Sequence, residues 1–310
     1  MCARPTLADL GENALVESIF RWLPEVGSGV VVGPGDDCAV LAGEGGTEML
    51  LKTDCVVEGL HYHADAAAVD VGRKAIGRVL SDIAAMGGEP GASVVTLAAP
   101  ASTPLAWVEE LYAGMREMTG RWGGAVVGGE TTCLPEGAPV LVNVAMTGSV
   151  PAGGAWLRSG GRPGDILCVT GRLGGAVRSG RHMVFTPRLR EALWLRGWNS
   201  PTAAMDLSDG LAADLPRLAK ASGCGYVIDR RRIPRQPDCD VAQALGDGED
   251  YELLMAFAPE DWTDLPAAWD RVFPGVPLTA IGELVEAGDP RAIDLEGGWQ
   301  HFAAGSDEPQ

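Results

Sequence analysis

The alternation of apolar and polar positions along this chain sorts it into short strands and a few strong helices. In the first half, apolar and partly β-branched runs bounded by turn residues predict strands at 30–32, 38–41, 49–53, 92–98 and 140–147. Between them Val69, Ile76, Val79, Leu80 and Ile83 recur at helical spacing and predict a helix over 67–86, stopped by Gly87 and Gly88. A second helix is predicted over 105–119. Residues 151–164 turn rich in Gly, Pro and Arg, which places a domain boundary near residue 150 and divides the chain into 1–150 and 151–310. Beyond it, predicted strands at 166–170, 226–229, 252–257 and 278–284 alternate with predicted helices at 187–195, 211–222 and 259–272, the pattern of an α/β layered domain. No internal repeat of useful strength emerges, and the tail after Ala303 reads as frayed.

Composition narrows the function classes. At 310 residues and 46% hydrophobic, the chain can bury a sizeable core, in two domains rather than one. A formal net charge of −18 argues against a nucleic-acid backbone as partner, because counterion release needs clustered Lys and Arg. The one basic cluster, Arg230 to Arg232, reads as a solvated turn. Seven cysteines without a C-x-x-C pair indicate neither a disulfide framework nor a zinc ribbon, and fit reduced thiols in the cytoplasm; Cys2 alone does not make a lipid anchor. No basic-then-apolar leader and no apolar run long enough for a bilayer are present, so export and membrane insertion are not expected. Lysine occurs only at 52, 74 and 220, never after a glycine, which excludes a phosphate-binding loop of the G-x-x-x-x-G-K-[ST] kind.

The chemistry is therefore sought in acids. Short acidic motifs flanked by small residues recur: Asp36-Asp37 after Gly35, Thr53-Asp54 at the end of an apolar strand, Ser81-Asp82 in a helix, Gly129-Glu130, and Asp206-Leu207-Ser208-Asp209-Gly210 before a helix. Mg²⁺ takes carboxylate oxygens and shares its shell with phosphates, so acidic loops that converge in a fold would suit it. Each motif also has a plain reading. Gly35-Asp36-Asp37 is an ordinary turn composition, and Ser208 and Asp209 are preferred helix N-caps. Asp82 is more telling, because its neighbours Ile83, Ala84 and Ala85 imply burial, which costs an unpaired carboxylate free energy that a cation would relieve. The helix N-terminus near Leu211 could gather a phosphate and its metal where Ser208 and the two aspartates point.

In order and wording, GPGDDCAVL, LLKTDCVVEGLHYH, LSDIAAMGGEP, VVGGETT, LRSGGRPGD, MDLSDGLAADL and GEDYELL resemble the thiamine-monophosphate kinases of the aminoimidazole-ribonucleotide synthetase superfamily over nearly the whole chain. The resemblance implies an α+β N-terminal domain with a mixed sheet that pairs with a second subunit's sheet. It implies an α/β C-terminal domain and an active site in the cleft between the two. It further implies γ-phosphoryl transfer from ATP to thiamine monophosphate by direct in-line displacement, with several Mg²⁺ ions and no phosphoenzyme. Position by position, Asp37, Thr53, Asp54, Asp82, Glu130, Asp206 and Asp209 fall where the family binds magnesium. Gly129, Glu130, Arg158 and Ser208 fall where it holds ATP, and His61, Glu249 and Trp299 where it contacts the thiamine substrate. An aromatic face at Trp299 suits a thiazolium cation, against the plain reading of a packed tryptophan.

No general base is expected, since a phosphate monoester with a second pKa near 6 is already largely dianionic at neutral pH. His61 therefore reads as a contacting or structural imidazole, and Arg158 as a guanidinium that forks onto phosphate oxygens. Three positions depart from the resemblance. Glu130 stands where the family has Asp, Lys52 where it has a small polar residue, and 173–187 is short where the family carries a longer helical segment. Lys52 shares a strand face with Asp54, so its ammonium is expected near the acids and in place of one cation. The competing readings are another ATP-using enzyme of the superfamily with a different acceptor, such as a hydrogenase-maturation protein or a purine-pathway synthetase, and a non-catalytic metal- or nucleotide-binding relative.

Overall fold

The structure, a computed structural model, describes residues 6–24, 27–299 and 302. Cys2 and the tail after Ala303 lie outside the described residues. Two short N-terminal helices, α1 (Leu7–Leu10) and α2 (Glu12–Trp22), lead into β1 (Val30–Val32), β2 (Ala39–Ala42) and β3 (Thr47–Val57). Then follow α3 (Ala68–Ala85), β4 (Glu89–Pro100), α4 (Leu105–Trp122), β5 (Ala125–Leu134) and β6 (Leu141–Pro151). The six strands form one sheet in the order β1-β2-β3-β6-β4-β5, antiparallel except for β4 and β5. That one parallel pair requires a crossover, and α4 supplies it.

Helix α3 organises the molecule. Val71, Ile76, Val79, Leu80 and Ile83 are fully buried, and burial continues round most of its circumference. A helix with apolar surface on nearly every side has to lie inside. It packs on β3 and β6, against α4, and against the second half of the chain through β8 and α5 described below. The α3–α4 crossing is close because Gly72 and Gly114 face the partner backbone. A Cβ at either would come within 2.0 Å of a carbonyl oxygen, of Leu111 and Val69 respectively. The helix ends at Gly87 (φ +68°), and the Gly88 amide turns back to the Ile83 carbonyl at 2.8 Å, as the glycine pair predicted.

The second half runs β7 (Ile166–Thr170), α5 (Leu189–Trp198), β8 (Ala203–Asp206), α6 (Leu211–Ala221) and β9 (Gly225–Ile228). It continues through α7 (Val241–Gly246), β10 (Leu253–Phe257), α8 (Pro259–Trp262), α9 (Leu265–Val272) and β11 (Leu278–Val285). Its sheet has the order β8-β10-β7-β11-β9, and every pair is antiparallel. Helices and strands are layered as their alternation suggested; strand direction is what the alternation left open. Leu167, Leu211, Leu215, Leu218 and Ile281 close a core between this sheet and α6. The predicted helix over 259–272 is two helices, because Pro266 sits in the first turn of α9, where a missing N–H is tolerated and continuation of a preceding helix is not. Arg230 to Arg232 form an exposed turn capped by Asp229, as read from the sequence. Among the described residues, no helix is long and apolar enough to cross a membrane.

Candidate functional site

Four elements bring acid and base together between the two sheets. The β1–β2 loop carries Asp36 and Asp37, and β3 presents Lys52 and Asp54 on one face by strand alternation. Helix α3 aligns Lys74, Arg78 and Asp82 at four-residue spacing, with Ser81 beside them. The end of β8 supplies Asp206.

Asp37, Asp82 and Asp206 are buried and meet, with one carboxylate oxygen from each lying within 4.8 Å of the others. Ser81 Oγ donates to Asp206 Oδ2 at 2.7 Å, and Lys52 Nζ donates to Asp82 Oδ1 at 2.7 Å. The Arg158 guanidinium donates to Asp37 Oδ1, while its backbone amide donates to Asp36 at 3.1 Å. The other oxygen of Asp37, Oδ2, is buried and has no hydrogen-bond partner among the described residues. Arg78 forks onto Asp54, Nε to Oδ2 at 2.8 Å and Nη2 to Oδ1 at 3.1 Å.

Crowded, buried acids resist ionisation. Burial, with Asp37 beside it, pushes Asp206 up to about 7, and the same two causes push Asp36 up to about 6. Burial opposes the Lys52 charge, but Asp82 and Asp54 outweigh it and hold the ammonium above its ordinary range. Burial likewise works against the Asp54 carboxylate, and Arg78 and Lys52 together keep it below its usual value. Three buried carboxylates offering one oxygen each within 4.8 Å of the others, with a buried unpartnered oxygen on Asp37, form a hard-oxygen donor set that fits Mg²⁺.

A second polar cluster adjoins the first. Lys74, fully buried, donates to Glu249 Oε2 and to the His61 carbonyl, the latter at 2.7 Å. Tyr251 donates to Glu249 Oε1 at 2.9 Å, and Arg78 Nη1 stands 3.6 Å from the same oxygen. Burial would raise Glu249, yet Lys74 and Arg78 outweigh it and hold the carboxyl low. Glu249 and Tyr251 both adopt left-handed backbone (φ +56° and +52°), rare for residues with a Cβ and a local strain that the surrounding contacts must hold. His61 Nδ1 accepts the Val57 amide at 3.1 Å, and burial, with Arg78 nearby, pushes the imidazole down to about 3, so it is neutral.

Ser208, Asp209 and Arg158 line a neighbouring cleft of about 1000 Å³ at the start of α6, bordered by Val16 of α2 and by 295–297. The helix start is less open than the sequence suggests. The Ser208 and Asp209 amides donate to Asp214 Oδ2 at 3.1 and 3.0 Å, and Arg217 holds the Asp209 carboxylate. Trp299 is half-buried and tied to this loop by its amide, which donates to the Asp209 carbonyl at 2.8 Å.

The remaining sequence candidates stand apart. Thr53, between Lys52 and Asp54, points to the opposite sheet face and donates to Asn143 Oδ1 at 3.0 Å. Gly129 and Glu130 lie exposed on the edge strand β5. Asp54, Val144, Val95 and Gly129 form one cross-strand row, which puts Gly129 three strand spacings, roughly 14 Å, from β3. Backbone contact at Gly129 is tight, since a Cβ would fall 1.9 Å from the Val95 carbonyl oxygen. Arg78, Lys74, Asp214 and Arg217 were not singled out from the sequence, and Ser81 entered only as the neighbour of Asp82 in its motif. For the first two a signal existed, charges recurring every four residues on a helix that is otherwise buried.

Two sheets with an acid-lined cleft between them define the class, and comparison with known proteins agrees. The family model for the N-terminal domain of AIR synthase related proteins matches residues 35–150, and the model for their C-terminal domain matches 187–294. The thiamine-monophosphate kinase of Rhodopirellula baltica is 33% identical over 284 residues, 86% of this chain and 85% of that one. That of Escherichia coli strain K12 is 31% identical over 330 aligned positions, covering 94% and 98%. A solved structure, AaThiL complexed with AMPPCP and TMP, superposes with a TM-score of 0.82 at 27% identity over 96% of this chain and 99% of that one. The chain belongs to the thiamine-monophosphate kinases of the AIR synthase related family.

Proposed function

We propose that this protein transfers the γ-phosphoryl group of ATP to the phosphate of thiamine monophosphate, forming thiamine diphosphate by direct in-line displacement. The observation that carries this reading is the meeting of Asp37, Asp82 and Asp206 beside Arg158, in a chain that aligns over most of its length with enzymes named for this reaction. Two anions have to be brought together and the transition state spreads charge over the equatorial oxygens, so positioning and neutralisation are the chemical need. A neutral His61 already bonded to backbone fits a reaction without a general base. Asp37, Asp82 and Asp206 would hold Mg²⁺, with Asp54 and Asp209 as nearby acids. When bound, the ion supplies Lewis-acid neutralisation of phosphate oxygens.

Arg158 and the cleft at Ser208 would receive phosphate groups. Gly129 and Glu130 would meet the nucleotide at the edge strand, away from the three-acid cluster, while Thr53 on the far sheet face takes no part in that cluster. Glu249, His61 and Trp299 are assigned to the thiamine moiety, Trp299 offering a ring to the thiazolium. In this reading 1–150 carries most of the metal and nucleotide residues together with the subunit contact, and 151–310 adds Asp206, Arg158 and Ser208 from across the cleft. We place the reaction in the cytoplasm, where the six free cysteines of the described residues would stay reduced.

The first sheet supports reading the protein as a homodimer. Leu51, Val94 and Val127 project 42%, 45% and 65% exposed from the face of the first sheet that α3 and α4 leave uncovered, and an apolar sheet face of that kind is an association surface. Sedimentation is expected to give the mass of two chains; a monomer at micromolar concentration would refute this. Activity is tested by supplying thiamine monophosphate, ATP and Mg²⁺. Thiamine diphosphate is expected to form and to stop when EDTA is added. ATP turnover without that product would assign another acceptor, and ATP and Mg²⁺ binding without turnover would assign a non-catalytic relative.

A further inference from the structure

The acid centre contains fixed positive charge of its own. Five carboxylates gather there, Asp36, Asp37, Asp54, Asp82 and Asp206, and three side-chain cations are already bonded to them. Lys52 holds Asp82 at 2.7 Å, Arg78 forks onto both oxygens of Asp54, and Arg158 holds Asp37. Glu249 and Lys74 neutralise one another next door. With every group ionised, five negative charges against three positive leave two, the charge of one divalent ion.

Geometry sends that ion to one place. Both oxygens of Asp54 face Arg78, and Oδ1 also accepts the Cys55 amide at 3.0 Å. Asp82 has given Oδ1 to Lys52. What remains open is the corner where Asp37, Asp82 and Asp206 approach within 4.8 Å, with the buried, unpartnered Oδ2 of Asp37. A second divalent ion next to Asp82 on the β3 side would have to sit against the Lys52 ammonium, at a separation where like charges repel strongly.

We propose that Lys52 is a resident cation of this centre, occupying a place among the carboxylates that a second divalent ion would otherwise fill, so that the nucleotide-free protein holds one ion at Asp37, Asp82 and Asp206. The inference rests on the reading of those three acids as the metal centre. A tethered ammonium cannot dissociate, so part of the neutralisation persists when free Mg²⁺ is low. Its reach also differs from a metal's, since an ammonium sits about 2.7–2.9 Å from oxygen where Mg²⁺ sits at about 2.0–2.1 Å.

The test is Mn²⁺ titration of the nucleotide-free protein, with free ion read by electron paramagnetic resonance, for the wild type, Lys52→Ser and Lys52→Met, each checked for fold by circular dichroism. One tight ion per wild-type chain is expected. In the variants, either a second tight ion or an affinity at least tenfold higher is expected. Two or more tight ions in the wild type would overturn the assignment, even if neither variant folded. So would variants that keep one ion with the midpoint moved less than tenfold, although the metal centre would then stand. No tight ion in the wild type would remove the metal-centre reading itself.

Discussion

Asp206→Asn is expected to lower the rate of thiamine diphosphate formation by about 10²–10³-fold, the scale on which one preorganised electrostatic group contributes to a charged transition state. The substitution is nearly isosteric, and the amide can keep a hydrogen bond with Ser81, whose hydroxyl now donates to Asp206 Oδ2 at 2.7 Å. What is lost is one of three converging negative charges. Because burial and Asp37 push Asp206 up to about 7, the fold already accommodates an uncharged side chain there part of the time near neutral pH, so folding should tolerate the amide while ion binding should not. Steady-state kinetics at saturating ATP and thiamine monophosphate decide it. A kcat within threefold of wild type would remove Asp206 from the working centre.

Lys74→Met is expected to destabilise the fold by about 3–5 kcal/mol, the usual consequence of removing one partner from a buried ion pair. Lys74 is fully buried on α3 and bonds Glu249 and the His61 carbonyl, so it ties the central helix to the strained 249–251 loop and to the turn after β3. Methionine matches the length of the stem but leaves the Glu249 carboxylate with Tyr251 and, at 3.6 Å, Arg78. Adding Glu249→Gln should recover a large part of the loss, because the orphaned charge rather than the missing contact is what costs free energy. Urea denaturation of the two variants beside wild type measures both values. A single-variant loss below about 1 kcal/mol would mean that Arg78 and Tyr251 alone satisfy Glu249.

The fold was legible wherever a signal was strong and local. Helix α3 announced itself by the spacing of Ile76, Val79, Leu80 and Ile83 and by its glycine stop, and β3 and β6 by their apolar, partly β-branched runs. Strand β5 escaped because Gly128, Gly129 and two threonines carry little apolar pattern, and as an exposed edge strand it has no buried face to write one. Strand β8 escaped because Ala203 and Ala204 are not β-branched, though all four of its residues are buried. Helix α2 was missed beside a Gly-rich turn, although its apolar residues Val16, Ile19 and Phe20 recur at helical spacing. The candidate acids were legible as motifs, but their grouping was not. Seven residues were read as one magnesium set; Asp37, Asp82 and Asp206 meet, Asp54 is held by Arg78, Asp209 by Arg217, and Thr53 and Glu130 face elsewhere.

The sequence by itself determined the elements, the family and the kinds of atoms offered to a ligand, because periodicity, turn residues and motif order are properties of neighbouring positions. Only the tertiary structure decided which of those atoms share a site. Ser81 and Asp206 are 125 residues apart and Arg158 and Asp37 are 121, and each pair touches only because two sheets close on one buried helix. Nor could sequence say that Lys52 would find Asp82, or Lys74 find Glu249. A buried charge must take whatever partner the packing leaves within about 3 Å, and that choice is made by geometry after the chain has folded.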